Sequence, residues 1–443
     1  MNSRTVYFFI NSDSYLKWAV HIASQLPESW NFSFFMVRSP LNPTQRQIDI
    51  ALQGTRVTSE MINNVTLKQF CTFVEKQTPD TIVFGATGGF IRLCIMRLQK
   101  VLGERIPLLA TGISGINVMP ENLNVILRAG CHIYIAASQR EVHDIENKFQ
   151  ELEIPITTAL TWIPYLQNGK RLTAIPNTEI DTVVFTPQPS VPRLEEERIQ
   201  LLRHLANLKL RHPELRVYVK LRAIGKEKQT HAELWPFSKL WDEMVLNGEY
   251  ERDLLIFADG AMQDFLLDDN TLLVTVSSTS AIEALDAGCR VAIIDDFGVS
   301  RENLNDVFIR SGLLTSLSTL SPTFAGIATD EWARNNYFHD VKHNNLTEVF
   351  ENFLMRKDAL ELTNFASLPP LPGEMLFWEG VRANLPKQLS RFLIVAMRPL
   401  GRFVKRAGNY VIRRIMMLIN PSNASPSDSK IAPISDSVNS TEP

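Results

Sequence analysis

Cysteine is scarce in this sequence. Cys71, Cys94, Cys131 and Cys289 lie far apart and form no CxxC pair, which speaks against a zinc site or a disulfide framework. Four reduced thiols are the expectation. Long apolar runs are missing too. No window reaches the roughly 18 uninterrupted apolar residues of a membrane-spanning helix. The N-terminus, MNSRTVYFFINSDSY, has one Arg and a brief apolar run, without the apolar core and cleavage site of a secretory leader. The protein is therefore expected to be made in the cytoplasm and to stay there. Net charge is only −3, so the whole molecule gives no nucleic-acid signal. Neither GxGxxG with a following acidic residue nor GK[ST] occurs, which excludes dinucleotide-binding and Walker motifs. No cluster of metal ligands stands out, and neither a metal nor another cofactor is expected.

What is present is an alternation of short apolar runs with helical segments. TVYFFI (5–10), WNFSFFMV (30–37), TIVFG (81–85), IPLLATGISGI and CHIYIAAS read as strands. YLKWAVHIASQL, FIRLCIMRLQKVL and QREVHDIENKFQEL read as helices between and after them. That order predicts parallel βαβ units with both sheet faces covered. A polar break follows, LQNGKRLTAIPNTEI (166–180), and the pattern restarts. DTVVF, LRVYVKLR, LLIFAD, TLLVTV and RVAIID supply a second set of strands, with RLEEERIQLLRHLANLKLRH as a long amphipathic helix. Two α/β halves are expected, over 1–168 and 180–365.

The remainder differs. Between Lys387 and Ile419 stand Lys387, Arg391, Arg398, Arg402, Lys405, Arg406, Arg413 and Arg414, with apolar residues between them and no acidic residue. Residues 366–420 are expected to form a basic helical extension whose stretch 387–419 lies on the anionic inner face of a membrane. An RNA-binding tail and a helix packed back on the first half are the alternatives. Residues 421–443 are Ser/Pro-rich and expected to be disordered.

Five segments carry candidate chemistry. In VSSTSAIEALDAG, Ser277, Ser278, Thr279 and Ser280 fill the loop between an apolar strand and a helix. Open α/β sheets bind ligands at that strand edge, and a helix N-terminus favours phosphate. Ser280 with Glu283 also reads as a capping box, which leaves Ser277, Ser278 and Thr279 unaccounted for. In KLRAIGKEKQTHAE, Lys220 and Arg222 share one face of a strand end, with His231 further on as a phosphate donor or general acid. Lys226 and Lys228 read as a solvated basic loop. In FGATGG, Gly85, Thr87, Gly88 and Gly89 open a helix after a strand; ATGISG adds Thr111 and Gly112. These small-residue loops either admit a ligand or make tight turns in a packed sheet. In NSDSYLKW, Asp13 is either a helix cap or a catalytic base.

With its two α/β halves and VSSTSAIEALDAGCRVAIIDDFG late in the second, the chain resembles GT-B glycosyltransferases. FTPQPS and KLR…QTHAE further resemble uncharacterised bacterial putative glycosyltransferases of surface-polysaccharide loci. The likeness spans about residues 1–365. Ser277-Ser278 is similar to the Ser-Ser/Thr motif of bacterial sialyltransferases and Kdo-type transferases, which holds the phosphate of a CMP-sugar. The family's His-Pro and acidic-acidic-Gly motifs have no clear counterpart, since His212-Pro213 ends a helix and Asp259-Gly260 lies in the second half. A UDP-sugar stays open, because Glu283 stands where some GT-B enzymes hold a ribose. The E-x7-E pair of many retaining members is missing, as Thr275 and Val291 flank Glu283 at that spacing, which implies inversion. The resemblance implies a nucleotide-sugar donor on the second half at Ser277, Ser278, Thr279, Ser280, Glu283, Lys220, Arg222 and His231. The acceptor, a capsule or lipid-linked glycan, would meet the first half at Asp13 and the loops of Gly85, Thr87, Gly88, Gly89, Thr111 and Gly112. No metal or nucleic acid enters. The rival readings are a UDP-GlcNAc 2-epimerase and a non-catalytic scaffold of a polysaccharide-export complex.

Overall fold

Strand β1, Thr5–Ile10, shows why this chain builds a sheet covered on both faces. Val6, Phe8 and Ile10 belong to one apolar core and Tyr7 and Phe9 to another. Successive side chains of a strand point to opposite faces, so a strand apolar at every position needs cover on both. The computed structural model describes residues 3–358 and Leu368, apart from 40, 103–105, 117–121, 164–165, 167–168 and 222–232. Arg222 and His231, the tail 421–443 and the extension 366–420 with its stretch 387–419 lie outside the described residues, Leu368 excepted.

The first sheet continues with β2 (Asn31–Val37), β3 (Ile62–Val65), β4 (Thr81–Gly85), β5 (Leu108–Gly112), β6 (Ile133–Ala136) and β7 (Thr157–Leu160). Its helices are α1 (Asp13–Gln25), α2 (Gln45–Leu52), α3 (Leu67–Lys76), α4 (Gly88–Leu102), α5 (Asn122–Ile126) and α6 (Gln139–Glu151). The second half holds β8 (Thr182–Phe185), β9 (Arg216–Lys220), β10 (Ile256–Ala258), β11 (Thr271–Thr275), β12 (Arg290–Ile294) and β13 (Leu314–Thr315). With them run α7 (Glu195–Arg211), α8 (Phe237–Leu246), α9 (Ser280–Ala287), α10 (Asp330–Asn335) and α11 (Leu346–Asp358). Strand order is β3-β2-β1-β4-β5-β6-β7 in one sheet and β10-β9-β8-β11-β12-β13 in the other. Every pairing is parallel. This is the two-part Rossmann-like α/β layout that the likeness to GT-B enzymes implies.

Each sheet reverses its winding once, between β1 and β4 and between β8 and β11. At such a point the two loops at the strands' carboxyl ends leave the sheet in opposite directions and open a crevice. Register places the loops side by side: Ile10 pairs with Gly85, and Val274 with Phe185.

Residues 38–80, given no element by the periodicity reading, contain α2, β3 and α3. Thr44 with Gln47 and Thr66 with Gln69 form reciprocal capping boxes at the starts of α2 and α3. The Thr-x-x-Gln spacing was the available signal. Helix α11 falls within the span 180–365, yet its Leu346, Phe350 and Leu354 lie in the core of the first sheet with Val6 and Phe8. Arg4 pairs with Asp358 at 2.6 Å and fixes the far end of α11 to the start of β1.

Candidate functional site

The loops after β1, β4 and β5 face those after β8 and β11 across a cavity of about 510 Å³. Asp13, Tyr15, Lys17, Thr87, Ser114 and Asn124 line it from the first half. From the second come Thr186, Gln188, Lys220, Glu283 and the run Ser277 to Ser280. Both winding reversals thus open onto one space.

The four hydroxyl residues take distinct roles. Ser277 is buried and donates to the carbonyl of Leu304, a residue at φ +56° on a neighbouring loop. Ser280, the first residue of α9, donates from Oγ to Ser278 Oγ at 2.7 Å and from N–H to the same oxygen at 3.2 Å. Thr186 Oγ1 lies 2.8 Å from Ser280 Oγ, and since Ser280 spends its hydrogen on Ser278, Thr186 is the donor there. Thr275 Oγ1 in turn donates to the Thr186 carbonyl at 2.8 Å. The relay Thr186→Ser280→Ser278 ends on an oxygen that accepts twice. Ser278 keeps its own hydrogen, and among the described residues no protein atom takes it. The same holds for the N–H groups of Ser278 and Thr279, whereas those of Ala281, Ile282 and Glu283 are bonded to the Ser278 and Thr279 carbonyls.

The expected capping box between Ser280 and Glu283 does not form. Thr279 holds the cap position with αR backbone angles and no side-chain bond. The short turn brings Ser278 Oγ onto the Ser280 N–H, and Glu283 is drawn off by a stronger partner. Lys17 Nζ of α1 lies 2.8 Å from Glu283 Oε2, with side chains 25% and 12% exposed. A second pair joins the halves, Arg46 Nη1 of α2 to Asp259 Oδ2 at 3.1 Å. Gly115 meets the second half as well: a Cβ there would stand 3.6 Å from Thr279 Cγ2.

Asp13 is not the cap of α1. Ser12 is, accepting from the Tyr15 N–H, and Asp13 is the first helical residue, half-buried in the cavity wall. Lys220, the last residue of β9, also lines the cavity. Of the candidates Gly85, Thr87, Gly88, Gly89, Thr111 and Gly112, Thr87 lines it, and the ATGISG loop reaches it through Ser114 and Gly115 instead. Added Cβ atoms would stand 2.7 Å from Trp18 Cζ2 and Ile135 O at Gly112, 2.8 Å from Leu127 Cβ at Gly88, and 3.3 Å from Trp18 at Gly85. Those three glycines serve packing. Thr111 is buried and donates to the Phe84 carbonyl at 3.2 Å, while Gly89 meets nothing within 4 Å.

The loop after β8 is held by Arg198, which is 1% exposed. Its guanidinium donates to the carbonyls of Gln188, Pro189, Pro192 and Trp235 and to Glu233 Oε1, and it covers the Phe237 ring at 4.7 Å. Burial lowers its pKa, and Glu233 opposes the shift. Sequence reading missed Arg198, Lys17, Arg46 and Thr186. Arg198 is an ordinary surface-type residue in a charged helical run, and the other three matter through partners far away in the chain.

Residues 6–353 match the family described as "Putative glycosyltransferase (DUF6716)". No curated protein matches the sequence. Among solved structures, the UDP-GlcNAc 2-epimerase of Methanocaldococcus jannaschii, in complex with UDP-GlcNAc and UDP, is similar at 10% identity and TM-score 0.48, over 79% of this chain and 99% of that one. The UDP-GlcNAc 2-epimerase of Neisseria meningitidis, bound to UDP-GlcNAc, is similar at 12% identity and TM-score 0.46, over 80% and 99%. An α,α-trehalose-phosphate synthase of Burkholderia vietnamiensis is similar at 9% identity and TM-score 0.40, over 81% and 97%.

Proposed function

The chain belongs to this glycosyltransferase family, and from that premise we propose that it moves a sugar with inversion from a nucleotide-sugar donor to a surface-glycan acceptor. The observation that carries the reading is the shared cavity, with an unspent Ser278 hydroxyl on one wall and the Asp13 carboxylate on the other. The donor phosphate would sit at Ser278 and Thr279, where two backbone N–H groups and two hydroxyl hydrogens have no protein acceptor among the described residues. Lys220 adds positive charge to that wall, and Arg222 and His231 are assigned there from the sequence. These donors stabilise the charge that develops on the leaving phosphate. Asp13 takes the proton of the acceptor hydroxyl as its oxygen bonds to the anomeric carbon and the bond to the phosphate breaks. A CMP-nonulosonate is the favoured donor class, on the likeness of Ser277-Ser278, and a UDP-sugar the second. The acceptor is a capsule or lipid-linked glycan at the inner leaflet, with 387–419 as the membrane contact.

A thermal-shift panel of CMP, UDP and GDP on wild type and on Ser278→Ala tests the site. The nucleotide of the true donor should raise wild-type stability by mass action and stabilise Ser278→Ala far less. Equal stabilisation of both proteins would refute the Ser278 seat. Incubation with UDP-GlcNAc and no acceptor separates the rival enzyme class, since an epimerised product would sink the transferase reading.

A further inference from the structure

Helix α4 has an unusual outer face. Ile91, Cys94, Ile95, Leu98 and Leu102 are buried against the first sheet. Turned the other way and exposed are Leu93, Met96, Arg97, Lys100 and Val101. Their spacing, i, i+3, i+4, i+7 and i+8, makes a single stripe along the helix. A solvated stripe usually mixes charges of both signs. This helix has no carboxylate in its 15 residues, and its two exposed charges, Arg97 and Lys100, are both cations, Arg92 being buried. Helix α3, packed along it, adds exposed Lys68 and Lys76 against one carboxylate, Glu75.

We propose that the outer stripe of α4 is a docking surface for an anionic lipid bilayer. Leu93, Met96 and Val101 are 37–39% exposed and have apolar surface to bury at the headgroup boundary. Arg97 and Lys100 between them reach the lipid phosphates. Charge decides against a second copy as occupant, because stripe-to-stripe contact across a two-fold axis would set these cations against their own kind. The position suits the fold. Helix α4 starts directly after Thr87 in the cavity wall, so a molecule resting on this helix holds its first half beside the surface. Helix α4 shares no residue with the stretch 387–419, so this surface stands whether or not that stretch binds lipid.

The test uses the full chain with Leu93→Cys carrying an environment-sensitive nitrobenzoxadiazole label. The four native cysteines are buried, which directs labelling to the new thiol. On phosphatidylglycerol-containing vesicles the label should brighten several-fold and shift to the blue, and it should stay unchanged on phosphatidylcholine alone. The same label at Leu210→Cys, 56% exposed on α7 in the second half, should not respond. Adding Arg97→Glu and Lys100→Glu should abolish the response at position 93. No change at position 93, or an equal change at 93 and 210, would overturn the proposal. So would a blue-shifted signal before vesicles are added, whether constant, because the chain's own segment covers the stripe, or rising with protein concentration, because a second copy does.

Discussion

Breaking the Lys17–Glu283 pair should weaken the contact between the two halves by a predictable amount. The groups stand 2.8 Å apart on helices from different sheets, with 25% and 12% of their side chains exposed. Two unit charges at about 4 Å attract by ~1 kcal/mol in water and ~4 kcal/mol at the effective dielectric of a protein surface. The cost of desolvating both groups offsets part of this, so a coupling of about 1–2 kcal/mol is expected. The Arg46–Asp259 pair provides an internal comparison. It spans the same two halves at 3.1 Å, but 35% and 45% of its side chains are exposed. Exposed pairs couple by roughly 0.2–1 kcal/mol. The assay is a double-mutant cycle read by urea unfolding, with Lys17→Met and Glu283→Gln in one cycle and Arg46→Met and Asp259→Asn in the other. Repeating both in about 1 M salt, where the screening length is roughly 3 Å, should erase the exposed coupling and spare most of the buried one. A Lys17–Glu283 coupling near zero, or one as salt-sensitive as that of Arg46–Asp259, would refute the reasoning.

Acid should destabilise the first half before its carboxylates titrate. Burial, aided by Lys17, lowers the pKa of His21 to about 4, and burial, aided by Arg356, lowers that of His132 to about 4. The fold therefore keeps both rings neutral, while the unfolded chain protonates them near pH 6.5. Their contribution is complete above that pH, drains away as pH falls towards 4, and costs about 1.4 kcal/mol per unit for each ring. Urea unfolding between about pH 6 and 5 should show this slope, and His21→Leu should remove one ring's share of it, about 1.4 kcal/mol per unit; an unchanged slope would contradict it. The glycines give a third check by thermal unfolding. Gly112→Ala and Gly88→Ala should each lose about 1–3 kcal/mol through overpacking. Gly89→Ala, with open space around it, should lose nothing and gain up to about 1 kcal/mol in helix propensity. Equal losses at all three positions would refute the packing assignment.

Ten strands were readable because each is a short, largely apolar run, as in TVYFFI and TLLVTV, and such runs pair in parallel under helices on both faces; β3, β7 and β13, with the sequences INNV, TTAL and LT, carry no such run and were missed. The start of α9 after β11 was readable for the same reason. Its hydrogen bonding was misread. A capping box is inferred from residues three apart, and it assumes that no partner from elsewhere competes. Lys17, 266 positions away, takes Glu283, and Ser278 takes the Ser280 N–H. The glycines of FGATGG and ATGISG carry the same lesson: a glycine beside a ligand and a glycine under Trp18 look alike in a sequence.

Residue order settles which segments become strands and helices, because periodicity and caps act over a few neighbours. It also settles that Ser277 to Ser280 follow a strand's carboxyl end, where α/β sheets bind. Folding settles which of those hydroxyls is free to act. Ser277 is spent on Leu304 and Ser280 on Ser278, which leaves Ser278 and Thr279 with hydrogens to give among the described residues. That outcome depends on Thr186, 92 positions before Ser278, in the loop that directly follows the strand pairing alongside β11. Hydrogen bonds are short and directional, so the site's chemistry is fixed by what stands within about 3 Å in space, and no reading of neighbours along the chain supplies that distance.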